Sequence, residues 1–240
     1  ALSAPRRKIV DNELRDFRLG GAELPADKKA RFMQVQEELA QLSAKFEENL
    51  LDATNDFALF IDDAAELAGV PDDVLAAMKA AAEADGKSGW KITLHMPSYL
   101  PVMQYADNRG LREQIYRAYV TRASEFGKPE LDNTPLIAGI LKLRREAAEL
   151  LGFSSYAQVS LAAKMADTPA EVLKFLDELG VRARPYAEKD YAELRAFARD
   201  ELGLADLQAW DTTYASEKLS VARYSFSDQE VKQYFPEPRV

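Results

Sequence analysis

A chain of 240 residues with a formal charge of −9, 47% hydrophobic and 30% charged, can bury a sizeable core and is too apolar to be disordered. The acidic balance repels phosphate backbones and argues against nucleic-acid partners, and the absence of cysteine removes disulfides, thiolate zinc sites and iron–sulfur ligands. That absence fits a cytoplasmic protein, no apolar run approaches the ~18–20 residues of a membrane span, and no signal-peptide pattern opens the chain.

Ser3 and Pro5 open a first helix, with Ile9, Val10, Leu14 and Phe17 inward and Gly20-Gly21 as its stop. Pro25 or Asp27 opens a longer helix. In it Phe32, Val35, Leu39, Leu42, Phe46 and, one place beyond strict spacing, Leu50 form a coiled-coil-like seam. The seam reads as packing against the first helix; the alternative is a partner-helix interface. Asn55-Asp56 breaks this helix, and Phe57 to Ile61 reads as a short strand. Asp62-Asp63 caps a brief turn that ends at Gly69. Pro71 starts a helix with Val74, Leu75 and Met78 inward, ending at Asp85-Gly86. Trp90, Ile92 and Leu94 then alternate with Lys91, Thr93 and His95, a period of two that predicts a half-buried strand. The two strands are expected to pair as a small antiparallel ribbon.

Pro97 and Pro101 predict a proline turn. Asn108 caps an amphipathic helix with Leu111, Ile115 and Tyr119 inward and Arg112 and Arg122 outside. Strand, turn and helix together form the corner against which the other helices are expected to pack. Phe126-Gly127-Lys128-Pro129 is the clearest linker and places a sub-boundary near 126–132. Asp132, Asn133 or Thr134 caps the next helix, with Ile137, Ile140, Leu141, Ala148 and Leu151 as its buried face. Gly152 stops it, and Ser154 or Ser155 caps a segment running through Tyr156, Val159 and Leu161 to Met165. Thr168-Pro169-Ala170-Glu171 is a capping-box pattern, followed by a core face of Val172, Phe175, Leu176 and Leu179. The helical pattern runs to Leu202, bent or restarted at Pro185, and Gly203 stops it. Asp211 or Thr212 caps a further helix, Ser227-Asp228 opens a last short one, and Tyr234-Phe235-Pro236 leaves the chain extended. The fold class is mostly α, an irregular multi-helix array with a minor two-stranded β ribbon.

Candidate chemistry is sparse. His95, the one histidine, falls on the polar face of the predicted strand and reads as a solvated or backbone-bonded imidazole rather than a base. His-Glu-x-x-His, phosphate-cradling glycine loops and calcium-loop spacing are all missing from the chain. The acidic pairs Glu37-Glu38, Glu47-Glu48, Asp62-Asp63 and Asp72-Asp73 read as solvated faces and helix caps, because adjacent helical residues diverge by about 100°. Arg6-Arg7-Lys8 is a short charge group at a helix start. Tyr99, Tyr105, Tyr116 and Tyr119 read as core-edge packing, with a groove lining as the alternative.

Several stretches resemble one family. Lys91-Ile92-Thr93-Leu94 followed by Pro97-Ser98-Tyr99-Leu100-Pro101-Val102-Met103 is similar to a core segment of the thimet oligopeptidase family of zinc metallopeptidases. So are Asn108-Arg109-Gly110-Leu111-Arg112 with its helix to Arg122, then Leu143-Arg144, Ala147, Leu150 to Phe153, and Met165-Ala166. The most specific block is Trp210-Asp211-x-x-Tyr214-x-x-x-Lys218, followed by Tyr234-Phe235-Pro236, and the resemblance runs from about Asp11 to the last residue.

The resemblance implies a cytosolic, mostly helical enzyme that cleaves oligopeptides in a deep channel between two helical halves. It also implies zinc held by the two histidines of His-Glu-x-x-His and a downstream glutamate, with the motif's own glutamate activating the bound water. The family places those residues beyond the Tyr-Phe-Pro block. No catalytic or metal residue is carried over to this chain, and its substrate contacts stay unassigned. Residues 1–240 are expected to be the non-catalytic channel-wall portion, inactive and without bound zinc alone. The remaining C-terminal catalytic portion is its expected partner. Ending on Glu237-Pro238-Arg239-Val240 reads as truncation, with self-association through uncovered apolar surface expected. The alternative is a free-standing helical peptide-binding or scaffold module, a pseudoenzyme.

Overall fold

A computed structural model describes residues 2–225 together with Glu230, Val231 and Tyr234. In chain order its elements are α1 (Ala4–Leu19), α2 (Ala26–Asn55), β1 (Leu59–Ile61), α3 (Asp72–Ala84), β2 (Trp90–Ile92), α4 (Met96–Tyr105), α5 (Arg109–Val120), α6 (Thr134–Leu150), α7 (Tyr156–Leu161), α8 (Pro169–Leu202) and α9 (Ala209–Tyr224). Short 3-10 turns lie at Ala64–Leu67 and Pro129–Leu131. The architecture is mostly α with one antiparallel ribbon, as the periodicities predict. The helix expected at Ser227-Asp228 and the extended end through Phe235-Pro236 lie outside the described residues. Among the described residues no helix is long and apolar enough to cross a membrane.

The chain divides into two compact units, Ala1–Leu50 with Ala123–Arg184, and Leu51–Arg122 with Pro185–Val240. In the first unit, Phe32 and Val35 of the α2 seam are buried against Leu143 and Ala147 of α6. The seam packs within the chain, as expected, but its partner is α6 and not α1. A repeat marks an apolar face without naming what covers it. Farther along the same pair of helices, Asn49 Nδ2 donates to Asn133 Oδ1 at 3.0 Å, and Asn133 Nδ2 donates to the Phe46 carbonyl at 3.0 Å. Both side chains are buried, and these bonds meet the needs of Asn133 and of Asn49 Nδ2, whereas Asn49 Oδ1 finds no partner among the described residues. Arg31 grips Glu146 of α6 with two hydrogen bonds, 2.5 and 2.8 Å long, which hold the Glu146 carboxyl below its ordinary range.

Of three predicted core faces of this unit, that of α1 is exposed and those of α6 and α8 are exposed in part, Ala148 being buried and Ile140, Leu151 and Val172 half-buried. Ile9, Val10, Leu14 and Phe17 of α1 all face solvent, Phe17 with 64% of its surface accessible. On α6 the buried line is Leu143, Ala147 and Ala148, whereas Ile137 and Leu141 are exposed. Gly139 lets α2 come close, for a Cβ there would meet Leu42 Cδ1 at 3.1 Å. Ile137, Ile140 and Leu141 instead line an open hollow of about 270 Å³ with Phe46, Glu47 and Arg144. On α8, Phe175, Leu176 and Leu179 are exposed, Phe175 by 63%.

In the second unit β1 and β2 pair in the register Leu59↔Ile92, Phe60↔Lys91, Ile61↔Trp90. The predicted second strand is cut short after Ile92. The Thr93 N–H donates to the Ser98 hydroxyl at 3.0 Å rather than to a neighbouring strand, and His95 becomes the N-cap of α4. The proline turn is itself α4. Pro97 sits in its first turn, so the bond that Pro101 cannot make is the one to the Pro97 carbonyl near the helix start, where the loss is tolerated. Leu94, Val102, Met103, Leu111 and Ile115 fill the core beside the ribbon. Tyr99 stacks on Tyr119 at 4.0 Å, the core-edge role expected of the tyrosines. Asn108 caps α5 as predicted, accepting from Leu111 N at 3.1 Å. α8 runs through Pro185 without restarting. The N-cap of α9 is Gln208, not Asp211 or Thr212; Asp211 lies at the third helical position and completes a capping box.

Candidate functional site

The most strongly organised polar cluster among the described residues surrounds Asp211, in the second unit. α9 begins with its side chain turned back onto the Gln208 N–H at 3.1 Å, which places a carboxylate in the first helical turn, where the helix dipole favours it. The carboxylate is fully buried. Arg112 of α5 donates Nη2 to Oδ1 at 2.8 Å, and Arg109, one turn earlier, donates Nη2 to Oδ2 at 2.7 Å and Nε to both oxygens at 3.0–3.1 Å. Arg112 is only 1% exposed and binds chain on three sides. Its Nη1 donates to the carbonyls of Ala106 at 2.7 Å and Asp107 at 3.2 Å, and its guanidinium lies 4.0 Å from the centre of the Tyr214 ring.

A second tier sits beside it. The Tyr214 hydroxyl donates to Asp107 Oδ1 at 2.8 Å, and Lys218 Nζ stands 3.5 Å from the same oxygen. Burial and the Asp107 carboxylate push the Tyr214 phenol up to about 12. The Asp107 N–H reaches the Ala68 carbonyl at 2.8 Å, and Gly69 lies against this turn with φ +89. One network therefore joins the 64–69 turn, the end of α4, the start of α5 and α9.

This arrangement clasps the end of α4 and the starts of α5 and α9 together. Both oxygens of Asp211 already face donors, so it is neither a free base nor an open ligand, and Tyr214 stays protonated across the neutral range. Arg112, expected outside α5, is its centre, because only a carboxylate from α9 makes burial of that charge tolerable. The available signal was an arginine at the edge of the Leu111–Ile115 face and an aspartate following Trp210. Neither identifies the other as its partner. The two blocks that carry the family resemblance at Arg109–Arg112 and Trp210–Lys218 are the two that meet here. His95 stands apart from the clasp, exposed, with Nε2 3.1 Å from Asn55 Oδ1. Among the described residues no group of three His, Asp or Glu side chains is placed to hold a metal ion.

The clasp has a pH signature. Burial opposes ionisation of Asp211, but the hydrogen bonds from Arg109, Arg112 and the Gln208 backbone outweigh it and hold the carboxyl below its ordinary 3.8. A depressed folded pKa contributes stability that is complete above the unfolded value and is lost as pH falls through the folded one. Urea midpoints are therefore expected to drop as pH falls below about 4, and Asp211→Asn is expected to flatten that slope while lowering stability at neutral pH. An unchanged slope in the variant would remove Asp211 from the acid transition.

Residues 102–240, which contain every side chain of the Arg109–Lys218 network, match the model of peptidase family M3. The chain belongs to that family. Among M3 relatives, it is 50% identical over 238 residues to oligopeptidase A of Salmonella typhimurium and equally to that of Escherichia coli. In both comparisons 98% of this chain is covered. It is 41% identical to the probable cytosolic oligopeptidase A of Arabidopsis thaliana over its full length. The chain spans about a third of those proteins, 35% in each case.

Proposed function

We propose that this chain is the helical, non-catalytic portion of a zinc-dependent, cytoplasmic oligopeptidase that hydrolyses short peptides. The observation that carries this reading is the 50% identity to oligopeptidase A across 98% of the chain, against 35% of the relative. Zinc and the residues that activate water belong to the part of the polypeptide outside these residues. The donors here, one exposed histidine held to an amide, do not fit a zinc site. The chain's own contribution is scaffolding: the Asp211 clasp fixes α4, α5 and α9 as a rigid wall on which a peptide channel can be built.

The test begins with the coding sequence that follows Val240, where His-Glu-x-x-His is expected in frame. The parent polypeptide should cleave a quenched-fluorescence oligopeptide and leave folded proteins intact. It should lose activity to a chelator and regain it with zinc. The 240-residue chain alone should show no cleavage. Zinc-dependent turnover by a homogeneous preparation of this chain would overturn the reading, as would a parent that lacks the motif.

A further inference from the structure

The first half of α8 is an amphipathic helix whose apolar face no described residue covers. Every residue from Leu173 to Arg184 is exposed. At 100° per residue, Phe175, Leu179, Val172, Ala183, Leu176 and Leu173 fall within one arc of roughly 160°. Glu171, Lys174, Asp177, Glu178, Arg182 and Arg184 occupy the other side together with the exposed Val181, and Lys174 and Glu178 pair at 4.0 Å. A bare helix of this length is marginal in water, since its stability normally comes from packing of its apolar face.

Gly180 adds an independent observation. It lies inside the apolar arc in mid-helix, where glycine is destabilising relative to alanine, and a Cβ there would meet nothing within 4 Å. Neither a turn nor a close neighbour among the described residues accounts for it. A glycine beside Leu176, Leu179 and Ala183 is what a closely approaching helix backbone requires.

We propose, on the reading that the chain is one portion of a longer oligopeptidase, that the Val172–Ala183 face of α8 is the docking surface for two or more helices from the part of the parent polypeptide outside these 240 residues, with Gly180 at the point of closest approach. The width of the arc selects the occupant. A paired second copy of α8 uses a narrow seam with polar flanks, whereas here both flanks, Leu173 and Phe175, are apolar and would stay wet. A partner presenting several helices covers the whole arc. The 35% share of its relatives' length leaves ample chain to supply them.

Two substitutions made in two proteins test this. In the 240-residue chain, Gly180→Leu is expected to raise the melting temperature by about 2 °C, and Leu176→Asp to leave it within about 1 °C, because both sites are open. In the full parent polypeptide each should lower it by about 4 °C or more. Shifts of the same sign and size in both proteins overturn the docking face. So does a full parent polypeptide that dimerises in light scattering and is returned to monomer by Leu176→Asp, which would assign the face to a second copy. A parent that hydrolyses peptides with zinc but shows no change of sign removes the docking face and keeps the proposed function. A parent without hydrolysis removes the proposed function, and the change of sign still decides the docking face.

Discussion

Arg112→Met is expected to destabilise the second unit by about 3–5 kcal/mol, the usual cost of removing one partner from a buried ion pair. Methionine follows the path of the arginine stem, so little packing is lost. What goes is the 2.8 Å bond to Asp211 and the bonds to the Ala106 and Asp107 carbonyls. Arg109 remains on the carboxylate but is part exposed, and water weakens its grip. Urea unfolding followed by the fluorescence of Trp90 and Trp210, both in the second unit, with far-UV circular dichroism as a second probe, measures the loss. The double variant Arg112→Met with Asp211→Leu should recover most of it, because an apolar pair of similar volume leaves no buried charge behind. If the single variant costs less than about 1 kcal/mol, Arg109 alone neutralises Asp211 and the clasp is weaker than its geometry implies.

Gly69→Ala is expected to cost about 3 kcal/mol or more. The residue has φ +89, and a Cβ there would lie 2.3 Å from the Tyr105 carbonyl and 2.9 Å from the Asp107 carboxyl. The obstacle is backbone on one side and a doubly bonded carboxylate on the other, so neither moves freely. Gly86 is the control. Its φ is +69, but a Cβ there meets nothing, so Gly86→Ala should cost only the left-handed backbone preference, about 1–2 kcal/mol. Equal urea midpoints for the two variants would show that the close approach at Gly69 contributes nothing. A larger loss at Gly69 should also free the Tyr214 phenol. The phenol, which burial and Asp107 push up to about 12, is then expected to titrate closer to its ordinary 10.0.

Much of the chain was legible because local chemistry dominates where elements start and stop. Asn108 and Ser155 cap their helices with the side-chain bonds that their residue types predict. Gly152 and Gly203, both at positive φ, end α6 and α8. Period-two alternation found the Trp90 strand, the apolar run Phe57 to Ile61 found the other, and their pairing followed from the helical excursion between them. The alternation rule ran past Ile92 because Ser98 competes for the Thr93 N–H, a bond between residues five apart that alternation does not encode.

The sequence by itself determined the element types, most boundaries, the absence of thiol chemistry and the family, because these depend on neighbours along the chain and on motif order. Only the tertiary structure decided which apolar faces are covered. α1 and the first half of α8 have the periodicity of core helices and are bare, while α2 packs on α6; periodicity gives direction, not occupancy. Only the tertiary structure brought Arg109, Arg112 and Asp211 together, across about a hundred residues of chain. A buried charge is stable only with its partner, and a partner that distant leaves no trace in local spacing.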